Sequence, residues 1–223
     1  MAHVTPSKWP RAGRLWPVTV DGPVTSDQYP AMAGTEKLVA LLRGVNVGGH
    51  RRLPMVELRA LLESCGYRDV RTYIQSGNVV CSAPITGANR ASRRRAQIVE
   101  KTMTDAIFER FALTVPVMVR RADEWPALVA DNPFLAANKG VDKSALYVGF
   151  MSKTPEPQWI EAIDRDRSPP DQFAIRGREI YLYYPERRQK SKLVNDWFER
   201  ELRVDCTMRN WRTVNRLLAM LDS

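Results

Sequence analysis

Cysteine is scarce. The 223 residues hold three, Cys65, Cys81 and Cys206, far apart and without a CxxC pair. That argues against a disulfide framework or a cysteine-built zinc cluster and fits a reducing cytoplasm. Histidine is scarcer still: His3 and His50 are too few for a histidine-based metal site or a Ser-His-Asp triad, so neither a metal nor a cofactor is expected. No run approaches the roughly 20 apolar residues that a membrane helix needs, so no membrane association is expected. The opening Met1-Ala2-His3-Val4-Thr5-Pro6 lacks the basic-then-apolar layout of a secretory signal, again pointing to the cytoplasm. No sequence-local pair of carboxylates suggests acid–base chemistry. Catalytic groups can converge in space without sharing a motif, so the sequence leaves open whether the chain is an enzyme.

What is present is an ordinary globular composition with a basic balance. Hydrophobic residues make up 44%, enough to bury a core, and the formal net charge is +9. A positive excess favours anionic partners, either nucleic acid or a phosphate-bearing small molecule, although charge alone gives only non-specific attraction.

Residues 1–34 differ from the rest. Pro6, Pro10, Pro17, Pro23 and Pro30 punctuate a stretch without apolar period, which reads as an extended or disordered tail. Met32, just before the first strong strand, offers an alternative start. The tail sets Lys8, Arg11 and Arg14 against Asp21 and Asp27, so the basic excess belongs to the remainder.

From Lys37 strand and helix patterns alternate. Leu38 to Arg43 reads as a strand, and Pro54 to Cys65 as a helix with Met55, Leu58, Leu61, Leu62 and Cys65 on one stripe and Gly66 as its stop. Val70 to Gln75 and Asn78 to Ser82 read as strands joined by the two-residue loop Ser76-Gly77. A helix over 92–111 and a strand over 115–120 complete a βαββαβ order. The second half repeats it: a strand over 144–151, a short helix over 158–163, strands over 173–175 and 180–184 around Gly177-Arg178, a helix over 193–202, a strand over 205–208 and a closing helix over 211–221. The expected fold is therefore α+β, two tandem ferredoxin-like βαββαβ subdomains with antiparallel sheets. The expected boundaries are 35–121 for the first and 143–223 for the second, with a bridging segment over 122–142.

Polar residues gather at the ends of apolar strands, in Arg43-Gly44-Val45-Asn46-Val47-Gly48-Gly49, Gln75-Ser76-Gly77-Asn78-Val79, Asp131-Asn132-Pro133-Phe134, Ser191-Lys192-Leu193 and Arg209-Asn210-Trp211-Arg212-Thr213-Val214. Taken in this order, from about Lys37 to Leu221, these blocks resemble the DUF1697 family, a bacterial group of unknown function. The resemblance implies an α+β architecture with ferredoxin-like subdomains and no particular catalytic residue. His50 stands where that family commonly has Lys after the glycines, and the first 34 residues have no counterpart in it.

The hairpin loop Ser76-Gly77 sets Gln75 opposite Asn78, Tyr73 opposite Val80 and Arg71 opposite Ser82. Strand alternation then puts Arg71, Tyr73, Gln75, Asn78 and Ser82 on one face, with Val70, Thr72, Ile74, Val79 and Cys81 facing the helices. The polar face reads as the open one, either a binding platform or a surface that is solvated or packs on the second subdomain. In the second hairpin Arg176 opposes Glu179. Tyr181 and Tyr183 share their side, as packing at an inter-domain or dimer interface more than as base-stacking rings.

The Gly44–Gly49 loop is read either as a generic phosphate pocket or as a turn needing glycine dihedrals; His50-Arg51 in place of Lys-Ser/Thr rejects a true P-loop. Ser191 and Asn210 read as helix caps, Trp211, Cys65 and Cys81 as core. Arg209 reads either as a bidentate grip on a carboxylate or phosphate or as a structural salt bridge. The candidate ligand-binding residues are Arg43, Asn46, Tyr73, Gln75, Asn78, Lys192 and Arg209. They suit a binding module for a phosphorylated or nucleic-acid ligand in a cleft between subdomains. Two alternatives stand: an enzyme of unknown reaction using the same cleft, and a protein-interaction module or homodimer built on its tyrosine faces.

Overall fold

Val39, Ala40, Leu41 and Leu42 run unbroken through one strand and are all buried, as expected of a strand covered on both faces. In a computed structural model, which describes residues 34–48, 52–85, 92–137, 140–186 and 188–222, this strand is β1 (Thr35–Leu42). The elements that follow are α1 (Met55–Ser64), β2 (Arg68–Tyr73), β3 (Asn78–Pro84), α2 (Ser92–Phe111), β4 (Val117–Arg121), α3 (Trp125–Ala130) and α4 (Pro133–Ala137). After them come β5 (Leu146–Met151), α5 (Pro157–Ala162), β6 (Gln172–Arg176), β7 (Glu179–Tyr183), α6 (Asn195–Leu202), β8 (Cys206–Asn210) and α7 (Trp211–Leu221). The tail expected over 1–34 lies outside the described residues except for Gly34, and His50 lies outside them altogether.

The protein is mixed α and β, with two four-stranded antiparallel sheets of order β2-β3-β1-β4 and β6-β7-β5-β8. The same chain order yields the same strand order twice. Helices α1 and α2 cover one face of the first sheet, where Leu58, Leu62, Val99, Met103 and Ile107 meet Leu38, Ala40, Val79 and Cys81. In the second sheet Trp197, Phe198 and Leu202 of α6 meet Phe173, Ile180 and Leu182.

Of the readings for the polar face of the first sheet, an open platform, a solvated surface or packing on the second subdomain, the last describes it, and the tyrosine face of the second sheet packs inside the chain as well. Val39, Leu41, Val80 and Met118 of the first sheet share one buried cluster with Leu146, Val148, Phe150 and Tyr181 of the second. Trp125 and Leu128 of α3 and Trp211, Val214 and Leu217 of α7 complete that cluster. The alternation in β2 and β3 shows the polar side chains of this face, but β1 and β4 supply the apolar ones that bury it. Asn78 and Ser82 are buried here, and Tyr73 packs against the cluster. Cations of the first sheet meet the last carbonyls of α7: Lys37 Nζ donates to Leu221 O at 2.8 Å and Arg71 Nη2 to Met220 O at 2.5 Å. These carbonyls have no partner within the helix, and its negative end favours cations.

Four local expectations are corrected, the first being that Ile74 faces the helices: it is 53% exposed in the hairpin loop. The first hairpin pairs Tyr73 with Asn78 and Arg71 with Val80, so its loop spans 74–77 and Gln75 lies outside the strand. The shift is two residues, so the face of each remaining strand residue is unchanged. Gly77, at φ +71°, anchors this loop: a Cβ there would stand 2.6 Å from both Leu42 Cβ and Val45 Cγ2. Ser191 does not cap α6, which starts only at Asn195 behind the exposed Val194; its Oγ accepts from Leu193 N instead. Cys65 is exposed rather than core, because it stands at the C-cap, past the last turn that rests on the sheet. By contrast Asn210 caps α7, its Oδ1 accepting from Thr213 N at 2.8 Å, and Arg176 pairs with Glu179 as expected. Among the described residues no helix is long and apolar enough to cross a membrane.

Candidate functional site

Arg209 is the fourth residue of β8, which places its guanidinium at the end of the first sheet. It is only 8% exposed. Nε donates to Asn78 Oδ1 at 2.5 Å, Nη1 to Thr207 Oγ1 at 2.7 Å and Met208 O at 2.9 Å, and Nη2 to Leu42 O at 2.9 Å and Ser76 O at 3.1 Å. Every acceptor is neutral. Burial without a carboxylate partner pushes the guanidinium down to about 10. Of the two readings of Arg209, the structural salt bridge does not form with any described residue; its partners are a side-chain amide, a hydroxyl and carbonyls.

The first sheet holds a counterpart. Arg120 is the fourth residue of β4 and is 1% exposed. Its Nη1 donates to Val119 O and its Nη2 to Met151 O, the last residue of β5, and to Arg178 O in the second hairpin. Each arginine thus crosses from the outer strand of its own sheet to the hairpin of the other. One atom type breaks the correspondence: Nε of Arg120 meets Glu179 Oε1 at 2.7 Å, a carboxylate, whereas Nε of Arg209 meets an amide oxygen. One end holds a charge-balanced pair whose arginine is buried; the other holds a buried cation that meets no balancing charge among the described residues.

A cleft of about 430 Å³ opens at the unbalanced end. It is lined by the first signature through Arg43, Gly44, Val45 and Val47, by Ile74 and Ser76, and by the second signature from Thr207 to Asn210. Leu42, Arg188, Asn195, Asp196, Tyr147 and Thr213 complete it. Among the described residues Arg188 has no carboxylate partner: Nη2 points at Met208 Sδ, 3.8 Å away, and the guanidinium lies 4.9 Å from the Tyr147 ring centre. Its buried Nε has no hydrogen-bond partner among the described residues, and neither has the buried Asn195 Oδ1, also in the lining.

The structure sorts the sequence candidates. Arg43 lines the cleft but is engaged: Nε and Nη2 clasp both oxygens of Glu199 at 2.5 Å, and Nη2 also reaches Asp196 Oδ1 at 3.2 Å. Hydrogen bonding to Glu199 holds its pKa above the ordinary value. Asn46 ties loops together, Nδ2 donating to Leu53 O and Gln75 O while Oδ1 accepts from Leu53 N. Asn78 donates to Tyr73 O and Ser76 Oγ besides holding Arg209. Tyr73 belongs to the core between the sheets, and Gln75 is exposed beside the cleft. Lys192 is exposed away from the lining, its backbone N–H donating to Ser168 Oγ. Tyr181 is buried within the chain and donates to Leu128 O, while Tyr183 packs on Phe134.

Sequence reasoning missed Arg188, Ile74 and the Arg120–Glu179 pair. The last was legible: once the βαββαβ order is seen to repeat, aligning Val117–Arg121 with Cys206–Asn210 puts Arg120 at the position of Arg209. Among the described residues no group of three His, Cys, Asp or Glu is placed to hold a metal ion.

Comparison with known proteins agrees with this architecture. Residues 35–181 match the sequence model of DUF1697, described as a protein of unknown function. That span ends before Ser191-Lys192-Leu193 and Arg209–Val214. A conserved bacterial protein from Streptococcus pneumoniae is similar in structure, with a TM-score of 0.64 over 85% of this chain and 100% of its own, at 18% sequence identity. At that identity the likeness concerns the fold alone. No curated protein matches the chain.

Proposed function

Because the chain belongs to the DUF1697 family, whose function is unknown, we propose from its own geometry that it binds a small phosphorylated anion in the cleft beside Arg209. In this reading two ferredoxin-like subdomains, 35–121 and 143–223, are joined by the segment 122–142, and the cleft lies between them. The carrying observation is the contrast between Arg120, balanced by Glu179, and Arg209, held by Asn78. A buried cation without a carboxylate is costly unless a ligand supplies the charge. Arg188, with an unfilled Nε, offers that ligand a donor at the cleft wall. The volume lies within the range of small-molecule sites. A cleft rather than a flat basic surface favours a small anion over nucleic acid. The in-chain packing of Tyr181 and Tyr183 weakens the dimer alternative. The unpaired thiols support a cytoplasmic setting.

The test is a thermal-shift and calorimetric screen with inorganic phosphate, ribose 5-phosphate, adenosine monophosphate and a short oligonucleotide. A ligand at about 100 times its Kd stabilises by about 2.7 kcal/mol. Arg188→Gln removes a donor. Asn78→Asp supplies internally the charge that Glu179 supplies at the other end. Each is expected to weaken a hit at least about tenfold, equivalent to about 1.4 kcal/mol. The reading fails if no anion shifts the wild type, or if both cleft variants retain the full shift.

A further inference from the structure

We infer that the anion held in this cleft carries an apolar body, as an aryl or alkyl phosphate does, and that Val47 and Ile74 are the residues that select it. The inference rests on the proposed anion site and adds the substrate class. Large apolar side chains are seldom exposed without reason when they gather in one place. Val47 is 64% exposed and Ile74 53% exposed, and both line the cleft although they come from different loops. The two loops are staked to each other: Asn46, next to Val47, donates to Gln75 O, next to Ile74, at 2.7 Å. The apolar wall is therefore set in advance of a ligand, which lowers the ordering cost of binding.

Ile74 is costly on a second count. Its φ is +48°, a left-handed conformation that a β-branched side chain rarely adopts. Asn or Gly would occupy this loop position with less strain and without exposing a butyl group to water. Local stability therefore argues against isoleucine here, while contact with an apolar ligand argues for it. Elsewhere in the lining the carboxylate of Asp196 is paired with Arg43 Nη2 at 3.2 Å. Met208 and Tyr147 add apolar surface, whereas the unbalanced cations Arg188 and Arg209 supply the polar end. A bare inorganic anion leaves the apolar wall wet; a sugar phosphate sets hydroxyls against it.

The experiment compares inorganic phosphate, ribose 5-phosphate and phenyl phosphate by calorimetry on wild type, Ile74→Asn, Val47→Ser and Asn78→Asp. Phenyl phosphate is expected to bind about tenfold or more tighter than ribose 5-phosphate. Ile74→Asn and Val47→Ser are each expected to weaken phenyl phosphate by about five- to tenfold and leave inorganic phosphate unchanged. Ile74→Asn is also expected to keep or raise Tm, because it relieves the left-handed strain. Equal affinities for phenyl phosphate and ribose 5-phosphate, both weakened in Asn78→Asp, overturn this inference and leave the anion site standing. Binding of none of the three overturns both. A lower Tm in Ile74→Asn with unchanged affinity assigns Ile74 to the fold and overturns its role in selection.

Discussion

Arg209 Nε donates to Asn78 Oδ1 at 2.5 Å, across 131 positions of sequence. This bond joins the signature that ends the first hairpin to the one that opens the last helix, and with Leu42 O and Ser76 O it fixes the hairpin of one sheet on a strand of the other. The role predicted for both residues was contact with a ligand. Their hydrogen bonds are instead spent on each other and on the backbone, and what they leave exposed to the cleft is the electrostatic consequence, an unbalanced positive charge.

Removing that guanidinium strands several acceptors. Arg209→Met keeps length and apolar stem but leaves Asn78 Oδ1, Thr207 Oγ1 and the carbonyls of Leu42 and Ser76 without this donor. The expected loss of stability is about 3 kcal/mol, because buried polar groups left unsatisfied lose their full desolvation cost. Urea denaturation measures it; a loss below about 1 kcal/mol means that water replaces the arginine freely.

The other end should respond through charge rather than through lost donors. Glu179→Gln retains an acceptor for Arg120 Nε but strips its counter-charge. Breaking a buried pair in this way costs about 3 kcal/mol. Since Glu179 is not fully buried, about 2 kcal/mol is expected here. An unchanged denaturation midpoint contradicts the view that Glu179 balances Arg120.

Glu100 carries a pH dependence. Its Oε1 accepts from Val119 N at 2.8 Å, closing the outer edge of β4, and burial pushes its carboxyl above the ordinary 4.5 despite that bond and the nearby Arg178. The folded state therefore holds this proton at pH values where the unfolded chain has released it. Protonation favours folding, so its contribution to stability falls as pH rises through and above the ordinary carboxylate range. Glu100→Gln keeps the acceptor and removes the ionisation. The stability of the variant minus that of wild type should grow from pH 4.5 to pH 7. A difference that is flat across this window, or shrinks, removes Glu100 from the pH response.

Thiol chemistry separates the cysteines. Cys81 and Cys206 are buried, which raises each to about 12; partial burial raises Cys65 too, but its thiol alone belongs to an exposed residue. At pH 8 a thiol reagent is expected to label Cys65 alone in the folded protein and all three cysteines in denaturant. Labelling of Cys206 in the folded state signals opening of β8, the strand that carries Arg209.

The order of strands and helices was legible in the sequence because it rests on local spacing: apolar stripes in α2 and α7, the alternation of Phe173, Ile175, Ile180 and Leu182, and a capping Asn210 one residue before Trp211. Those signals act over a few residues and survive in any context that buries one face. The repeated βαββαβ order and its antiparallel pairing follow from the same spacing, and so does the side of the hairpin residues that stay in the strands, whereas Ile74, expected to face the helices, stands exposed in the loop because the register is two residues off. What only the tertiary structure decided is where the polar residues of the signatures find their partners. Asn46 bonds a neighbouring loop, Arg43 bonds Glu199, and Arg209 bonds Asn78, each with a partner that no local pattern points to. Burial then sets their chemistry, since a guanidinium between two packed sheets is governed by the charge that meets it, Glu179 at one end and none at the other.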